Sequence, residues 1–504
     1  MLKMAENNQL RIGAVLSYLN ILLSIGIGFV TAPLLINNLG KSEYGAYQMT
    51  AALIGYISVL DLGLHNAVTR YVARYLAIKD KRSEENFLAI SLGIFGIIGI
   101  LILTVVGIIY VNVASIYRSS ATAEEIEIIK KLLLVMGINL AISMPGAVFS
   151  SIITAYEKFI FSRSCATTKL IARFGLLLVV MSMGGKSLSV VMIDFTLNLV
   201  VLLLEIFYCF NNLHIRIKLY ELDKRYVFSV FSFSLFVFIA SITDQINWKA
   251  DTTILGIMIG TTAVTLYSIA GSLISYYRSF SGAISGIFLP KATKMTAAGA
   301  NNSELTDLMI TVGRIQLVII GLILSGFVVI GKEFISLWVG AEYIQAYYWF
   351  LIMALPLLIP MTQSIGINIL EAKFKHKFRA LVYLGIAIAN IALTILLVRI
   401  NGITGAAIAT GLAMFIGNNV IINIYYSNVI RLEIGRFFKE VYMKTLPIQL
   451  IITVALMVVD KIVSISGQWI DLIIKGVIVC TVYCGVIYLF VLTDKEKQYI
   501  KLNR

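Results

Sequence analysis

The chain has 504 residues, of which 59% are hydrophobic and only 13% are charged, and its formal net charge is +14. Soluble domains carry roughly 25% charged residues, so this composition excludes a soluble fold and predicts an integral membrane protein built from many helices. We attribute the excess positive charge to cytoplasmic loops rich in Lys and Arg, and expect no nucleic acid partner.

Apolar segments that can cross a bilayer, which takes about 20 helical residues, recur along the whole chain. The polar start, Met1–Leu10, does not resemble a cleaved signal peptide, so the first segment is expected to be retained. The predicted fold is an all-α polytopic membrane protein with about fourteen transmembrane helices. In chain order the predicted spans are Ile12–Ile36, Tyr44–His65, Phe87–Val113, Leu132–Ala155, Phe161–Met183, Leu188–Phe210, Val227–Trp248, Thr253–Tyr276, Leu308–Ile330, Tyr343–Leu370, Ala380–Val398, Ala406–Ser427, Leu446–Val459 and Trp469–Leu492.

The polar segments between these spans alternate between basic and nearly neutral. Even-numbered gaps and both termini hold 31 of the Lys and Arg residues, and odd-numbered gaps hold 10. This count assigns Lys169 and Arg173 to the cytoplasmic set and Lys249 to the opposite set. Because Lys and Arg accumulate on the cytoplasmic side of membrane proteins, both termini are predicted to be cytoplasmic.

An internal repeat appears when the chain is shifted by 220 residues. The shift aligns Leu39-Gly40 with Ile259-Gly260, Tyr47 with Tyr267, and Arg70 and Arg74 with Pro290 and Lys294. The repeat predicts two pseudo-symmetric six-helix bundles of the same orientation, 1–215 and 216–430, followed by two extra helices and a cytoplasmic tail in 431–504. Transporters use repeats of this kind to expose a substrate site alternately to each side of the membrane.

The sequence contains no pattern typical of an enzyme. Its histidines, His65, His214 and His376, are far apart, and it has no P-loop, G-x-S-x-G or H-E-x-x-H motif. The four cysteines form no C-x-x-C or zinc pattern, so no metal or cofactor is expected. Transport would be driven by an ion gradient, with H⁺ or Na⁺ as the coupling ion, by the membrane potential, or by consumption of the product.

Basic residues near the membrane are the candidate substrate-binding groups, because burying a charge in a bilayer is costly and such charges are commonly functional. Arginine suits phosphate because its planar guanidinium presents a fork of donors. Each residue could instead be a snorkelling or paired structural charge. The candidates are Arg70, Arg74, Arg278, Lys294, Arg314 and Lys249.

Acidic residues and prolines within the spans are the candidate coupling or gating groups. Asp61 lies near the end of span two, Asp244 lies in span seven, and Asp251 follows Lys249 at the outer junction of spans seven and eight. Pro145 and Pro356 break spans four and ten, which are partners in the repeat, and broken helices at matching positions indicate moving or cavity-lining segments. A static kink is the alternative. Asp194 and Glu205 in span six are interpreted as structural charges.

A set of short motifs resembles the polysaccharide-unit flippases of the multidrug/oligosaccharidyl-lipid/polysaccharide exporter (MOP) superfamily. The resemblance covers about the first twelve spans and is specific as a set. In order, the motifs are Asn38-Leu39-Gly40-Lys41-Ser42-Glu43-Tyr44-Gly45-Ala46-Tyr47, Asp61-Leu62-Gly63-Leu64, Arg70, Ile254-Leu255-Gly256, Leu289-Pro290, Leu337-Trp338-Val339-Gly340, Ile369-Leu370-Glu371-Ala372 and Gly402-Ile403-Thr404-Gly405-Ala406-Ala407.

The resemblance implies a V-shaped pair of six-helix bundles and a specific cargo. That cargo is an undecaprenyl-diphosphate-linked oligosaccharide, moved from the inner to the outer leaflet of the bacterial cytoplasmic membrane for surface polysaccharide synthesis. Membrane lipids and the polysaccharide polymerase machinery are the implied partners. Relatives with cationic cavities suit an anionic carrier, whereas spans one and two of this chain lack a central basic residue, which moves the expected phosphate contact to Arg278 and the cytoplasmic rim.

Two other functions remain open from the sequence. A cation- or proton-coupled multidrug antiporter of the same fold would need buried acids, and Asp61 and Asp244 could serve. A membrane enzyme acting on the same lipids would need a large external loop, and the longest external gap, near Tyr117–Lys131, is too short for a catalytic domain.

Overall fold

The computed structural model describes residues 2–221, 224–373, 376–462 and 468–491. Within these ranges the protein is helical and contains no strand, which confirms the all-α prediction. The predicted cytoplasmic termini fall on Met1 and on 492–504, which lie outside the described residues.

Sixteen α-helices follow one another in the described ranges. A 3₁₀ turn at Val59–Asp61 precedes α2, and π-helical turns extend α12, α13 and α14. The helices are α1 Leu2–Ser58, α2 Leu64–Ile78, α3 Lys81–Ile116, α4 Ala123–Ala155, α5 Phe159–Ser182, α6 Ser187–Asn211, α7 Lys224–Met258, α8 Thr261–Ala297, α9 Asn302–Trp338, α10 Gln345–Thr362, α11 Ser364–Ala372, α12 His376–Met414, α13 Ile422–Tyr425, α14 Ile434–Phe437, α15 Met443–Ile462 and α16 Gln468–Phe490.

Ten helical segments of the described residues are long and apolar enough to cross a membrane. Two of them, Val15–Ile78 with 64 residues and Leu381–Ile430 with 50, are about two to three times as long as one crossing requires. Each contains a glycine with positive φ, Gly40 at 73° and Gly402 at 57°, where two helices meet. The chain is therefore a multi-pass membrane protein, and the number fourteen stays a prediction.

Left-handed backbone positions recur at the interval that the sequence repeat predicts. These positions end one helix and let the next begin, because an L-residue with a side chain rarely adopts positive φ within a helix. Their spacing therefore reproduces the same helix-turn-helix pattern in two stretches of the chain. The pairs at this interval are Gly40 with Gly260 and Lys79 with Gly299, and Gly184 and Gly402 lie within two residues of it.

The chain forms two compact units, Met1–Thr265 and Leu266–Arg504. In the first unit α4 is central, because it packs against α1, α2, α3 and α6, while α1 also contacts α5 and α7. Most of helix α8 belongs to the second unit, although its first turn belongs to the first.

In the second unit α9 is central. It packs against α10, α11, α15 and α16, while α12 packs against α10. The last two helices, α15 and α16, share an apolar core around Leu456, Val479 and Tyr483. They are held on α9 by Gln449, whose Nε2 donates to the carbonyl of Leu317 at 3.0 Å.

Candidate functional site

Predicted span two is a broken helix rather than a continuous one. Helix α1 ends at Ser58, and after the 3₁₀ turn Leu62 (φ 54°) and Gly63 (φ 69°) both adopt left-handed backbone before α2 begins. The Asp61 carboxylate accepts a hydrogen bond from the Gly63 N–H. Left-handed conformation at a leucine is strained, and such strain persists only where the surroundings enforce it. The Asp61 motif is therefore the point where this span is interrupted.

The start of α2 is fixed to α4 just beyond Pro145. The Oγ of the buried Ser151 lies 2.7 Å from Nδ1 of His65, and it also donates to the carbonyl of Ala147 at 2.7 Å. This contact ties the start of α2, just after the helix break, to the part of α4 that follows Pro145.

Helix α2 presents a basic face. Leu64, Val68 and Val72 are buried on one side, whereas Arg70 and Arg74 are exposed on the other. Residues four apart on a helix share a face, so the two guanidinium groups lie one turn apart. They form a concentrated positive surface that an anion can approach.

The structure corrects the predicted position of Lys249 and Asp251. Both lie within α7, which continues to Met258, and the turn into α8 falls at Gly260, where φ is 120°. Predicted span eight began too early, at Thr253, because an unbroken apolar run cannot reveal a two-residue turn.

Helix α7 brings these groups against the second half of α1. The half-buried Lys249 faces Gly55, where an added Cβ would lie 3.8 Å from its Cγ. Asp251 is buried and interacts electrostatically with Tyr56. Asp244 is exposed and accepts a hydrogen bond from Trp248 Nε1 at 3.1 Å.

Sequence reasoning missed an ion pair inside the first unit. Arg173 and Asp194 form a two-pronged contact, with Nε to Oδ1 at 2.5 Å and Nη2 to Oδ2 at 3.1 Å, and their side chains are 25% and 27% exposed. Arg173 lies in the middle of α5, not in a loop, so its count as a cytoplasmic charge was wrong. Lys169, one turn earlier, also lies within α5 and donates to Asn198, which in turn donates to Asn139 at 3.0 Å.

A signal for this pairing was present in the sequence. Arg173 and Asp194 lie at nearly equal separations from the Gly184 turn that joins α5 to α6. In two antiparallel helices joined by a short turn, such positions face each other. The i, i+4 spacing of Lys169 and Arg173 on α5 matches that of Asp194 and Asn198 on α6.

A buried carboxylate joins α4 to two other elements of the first unit. Glu125, at the start of α4, accepts hydrogen bonds from Ser42 Oγ at 2.6 Å, Thr261 Oγ1 at 2.5 Å and the Thr122 N–H at 2.8 Å. Gly45 permits the approach, because a Cβ there would lie 2.0 Å from the carbonyl oxygen of Thr261. The first turn of α8 is thereby held against α1 and α4.

In the second unit, Arg278 lies on an open face of α8. Its side chain is half-buried, and on the same helix an added Cβ at Gly271, Gly282 or Gly286 would meet nothing within 4 Å. Lys294 is exposed four turns further along. These positions leave space along the helix on either side of the guanidinium.

A neutral network fixes α8 beside this face. Gln316 Nε2 lies within hydrogen-bonding distance of Ser285 Oγ (3.0 Å) and Ser364 Oγ (2.8 Å), and Ser281 Oγ donates to the carbonyl of Met361 at 3.0 Å. The network joins α8 to α9, α10 and α11.

Arg314 occupies a different environment from the other candidate cations. It is only 9% exposed, and its Nη2 donates to the carbonyl of Val491 at 2.7 Å. Because the last carbonyls of a helix lack intrahelical donors, this contact satisfies the end of α16 and attaches it to α9.

Helices α4 and α10 both continue through their prolines. They differ in the surroundings of the backbone carbonyl that a proline leaves without its helical donor. Pro360 lacks the N–H that would bond the carbonyl of Pro356, and Asn419 Nδ2 donates to that carbonyl instead, at 3.0 Å. In α4, Pro145 removes the donor to the carbonyl of Ala141, which faces Gly99 of α3. Predicted span ten is divided at Gln363 into α10 and α11.

Comparisons with known proteins identify the family. The model of the family described as "Polysaccharide biosynthesis protein" matches residues 11–295. The chain belongs to that family. A protein of Shigella flexneri assigned as an O-antigen transporter is 25% identical over 390 residues, which cover 74% of this chain and 88% of that protein.

Solved structures agree on the fold. The lipid II flippase MurJ, in an inward closed conformation, superposes with a TM-score of 0.71 at 15% identity, over 95% of this chain and 98% of its own. An inward-facing multidrug resistance MATE family transporter of the MOP superfamily gives 0.61 at 12% identity, over 79% of this chain and 92% of its own. The family member described here therefore has the MOP superfamily fold. The prediction of a transporter and not an enzyme agrees with the names of all three proteins.

Proposed function

We propose that the protein flips undecaprenyl-diphosphate-linked oligosaccharide repeat units from the inner to the outer leaflet of the bacterial cytoplasmic membrane by alternating access. Both termini lie in the cytoplasm in this proposal, and the flipped units feed the polymerase machinery of surface polysaccharide synthesis. The observation that carries the proposal is the helix break near the end of span two, after which α2 presents Arg70 and Arg74 on an exposed face.

The chemistry of this face fits a diphosphate. Two guanidinium groups one turn apart offer paired donors to phosphate oxygens, and charge-assisted contacts of this kind are stronger than neutral ones. Discontinuous membrane helices commonly direct a half-helix N-terminus toward anionic substrate groups, and α2 begins in this way at Leu64.

The other candidate residues have different roles in this proposal. Arg278 on the open face of α8 and the exposed Lys294 near the end of α8 contact the headgroup, and Lys249 on α7 provides a further cation. Arg314 holds α16 on α9, which is the role that its contact with Val491 supports. Asp61, at the break itself, and Asp244 and Asp251 on α7 are the acids available for coupling to H⁺ or Na⁺.

The lipid-flippase branch is favoured over the multidrug branch by the extent of the fold match. MurJ covers 95% of this chain, whereas the inward-facing MATE transporter covers 79%. The larger coverage requires that part of the C-terminal region be shared with the lipid flippase.

The test uses a deletion strain complemented with wild-type protein, Arg70→Ala, Arg74→Ala or the double variant. Without complementation, the deletion strain should accumulate lipid-linked units on the inner leaflet. Each substitution should lower the flipping rate of the complementing protein about tenfold, because it removes charge-assisted hydrogen bonds. Arg163→Ala, which alters another exposed arginine of the first unit, is the matched control and should complement fully.

Two results would contradict the proposal. Full complementation by the double variant would exclude the α2 face as the diphosphate contact. A deletion strain with intact surface glycan, but with raised sensitivity to cationic dyes, would replace the flippase with a drug antiporter.

A further inference from the structure

An apolar groove of about 370 Å³ lies in the first unit between α3, α4 and α6. Its walls include Gly96 and Gly99 of α3, Ile142 and Pro145 of α4, and Leu202 of α6. Every residue that lines it is a glycine, a proline or a residue with a hydrocarbon side chain. The groove therefore offers no side-chain hydrogen bond and no charge to an occupant.

The groove exists because side chains are missing where the three helices approach. An added Cβ at Gly96 would meet nothing within 4 Å, whereas at Gly99 it would lie 3.0 Å from the carbonyl oxygen of Ala141. At Gly146 it would lie 2.7 Å from Leu202 Cδ1. Gly99 and Gly146 thus permit close packing at the floor, and Gly96 leaves the opening free.

The rim of the groove faces hydrocarbon. Its three helices lie in segments long and apolar enough to cross the membrane. Ile97 and Ile100 beside the groove are 69% and 68% exposed, as is typical of side chains that contact lipid. Water is excluded as a stable occupant, because a buried water needs two or more polar partners and the lining side chains provide none.

We propose that this groove binds one acyl chain of a resident bilayer phospholipid. A lipid-linked saccharide carries a diphosphate, and no Lys or Arg lines the groove to select it. Without such selection the occupant is set by abundance, and bulk phospholipid greatly exceeds any carrier lipid. The acyl chain covers the stretch of α4 where Pro145 removes a backbone hydrogen bond, and it fills space that would otherwise be lost to packing.

The test places purified protein in nanodiscs of phosphatidylethanolamine that carries a diazirine in one acyl chain. After photolysis, labelling should concentrate at Ile142 and Leu202. Gly96→Leu puts a side chain into the opening and should lower that labelling about tenfold, because the leucine takes the methylene contacts of the acyl chain.

Matched controls lie on the same helix. Gly93 and Gly107 also have open space where a Cβ would be, and neither lines the groove. Gly93→Leu and Gly107→Leu should therefore leave labelling at Ile142 and Leu202 unchanged. Equal labelling in all three variants would overturn the proposal, as would wild-type labelling spread evenly along α3.

A competition experiment distinguishes the two possible sources of the hydrocarbon chain, a bilayer phospholipid and a carrier lipid. Undecaprenyl phosphate added at a few mole percent should not reduce the acyl label, and if it abolishes that label, the occupant is a carrier tail and the proposal is wrong. If Gly96→Leu fails to fold, wild-type protein with lipids brominated on the acyl chain gives a second measurement. Bromine scattering should be concentrated in the groove, and uniform scattering around α3 would contradict the assignment.

Discussion

Two regions, one in each unit, join their helices with different chemistry. In the first unit charged groups connect the helices, as in the Arg173–Asp194 pair and the Glu125 carboxylate. In the second unit the contacts between α8, α9 and α11 are neutral, with Gln316 bonded to serine hydroxyls. The contrast applies to these contacts, because elsewhere in the second unit the buried Lys475 of α16 forms ion pairs with Glu333 of α9 and Asp460 of α15.

This difference predicts unequal sensitivity to substitution. Removing one member of a buried ion pair leaves a charge that the surroundings cannot solvate, whereas removing a neutral partner leaves only an unpaired hydroxyl or amide. We therefore expect the Arg173–Asp194 contact to be more sensitive to single substitutions than the neutral network around Gln316.

The largest effect is expected for Arg173→Leu. It leaves the Asp194 carboxylate inside the membrane without its partner, which should lower the free energy of unfolding by about 3–5 kcal/mol. The measurement is denaturant unfolding in mild detergent. Arg173→Leu/Asp194→Leu should recover most of the loss, and a double variant as unstable as the single one would show that the pair is not the cause.

Glu125→Ala should be next. It removes the acceptor of two hydroxyls and one backbone N–H, at a cost of about 2–3 kcal/mol in the same assay. Glu124→Ala alters the exposed neighbouring carboxylate and should change stability by less than about 0.5 kcal/mol. Equal effects of the two substitutions would show that Glu125 does not hold the first turn of α8 against α1 and α4.

In the second unit, Gln316→Leu should cost about 1–2 kcal/mol, because Ser285 and Ser364 lose a donor but no charge is left unpaired. Thr311→Ala, at an exposed position of the same helix, is the control and should be nearly silent. A cost as large as that of Arg173→Leu would contradict the proposed contrast between the charged and the neutral contacts.

Asn419→Leu tests whether the Asn419 side chain replaces the hydrogen bond that Pro360 removes from α10. It should cost about 1 kcal/mol, since the carbonyl of Pro356 loses its side-chain donor. Pro360→Ala returns the backbone N–H, so Asn419→Leu should cost less in that background. A double-mutant cycle with no coupling would show that Asn419 does not compensate for the proline.

The smallest effect is expected for Lys131→Ala. Its Nζ lies 3.5 Å from Glu127 Oε1, and the two side chains are 58% and 60% exposed, so the loss should be below about 0.5 kcal/mol. A loss comparable with that of Glu125→Ala would mean that exposed pairs also stabilise the first unit.

The sequence by itself determined which segments are helical and where many of them turn. Apolar runs predicted the helices because a bilayer leaves backbone groups no partners except those within the helix. Gly40 and Gly402 lie in the predicted gaps and mark turns, since positive φ is a local property of glycine, whereas the turn at Gly260 fell inside a predicted span. The motif Asp61-Leu62-Gly63-Leu64 was recognised as part of the family signature, but its role as a helix break was not.

Only the tertiary structure decided which polar groups meet. Arg173 counted as a loop charge until the packing of α5 on α6 placed it beside Asp194. Arg314 was equivalent to Arg278 in the sequence, yet it is bonded to the carbonyl of Val491, far along the chain. Helix formation depends on neighbours in sequence, whereas the partner of a buried charge depends on which helices pack together, and an apolar surface of nearly uniform hydrophobicity does not specify that packing.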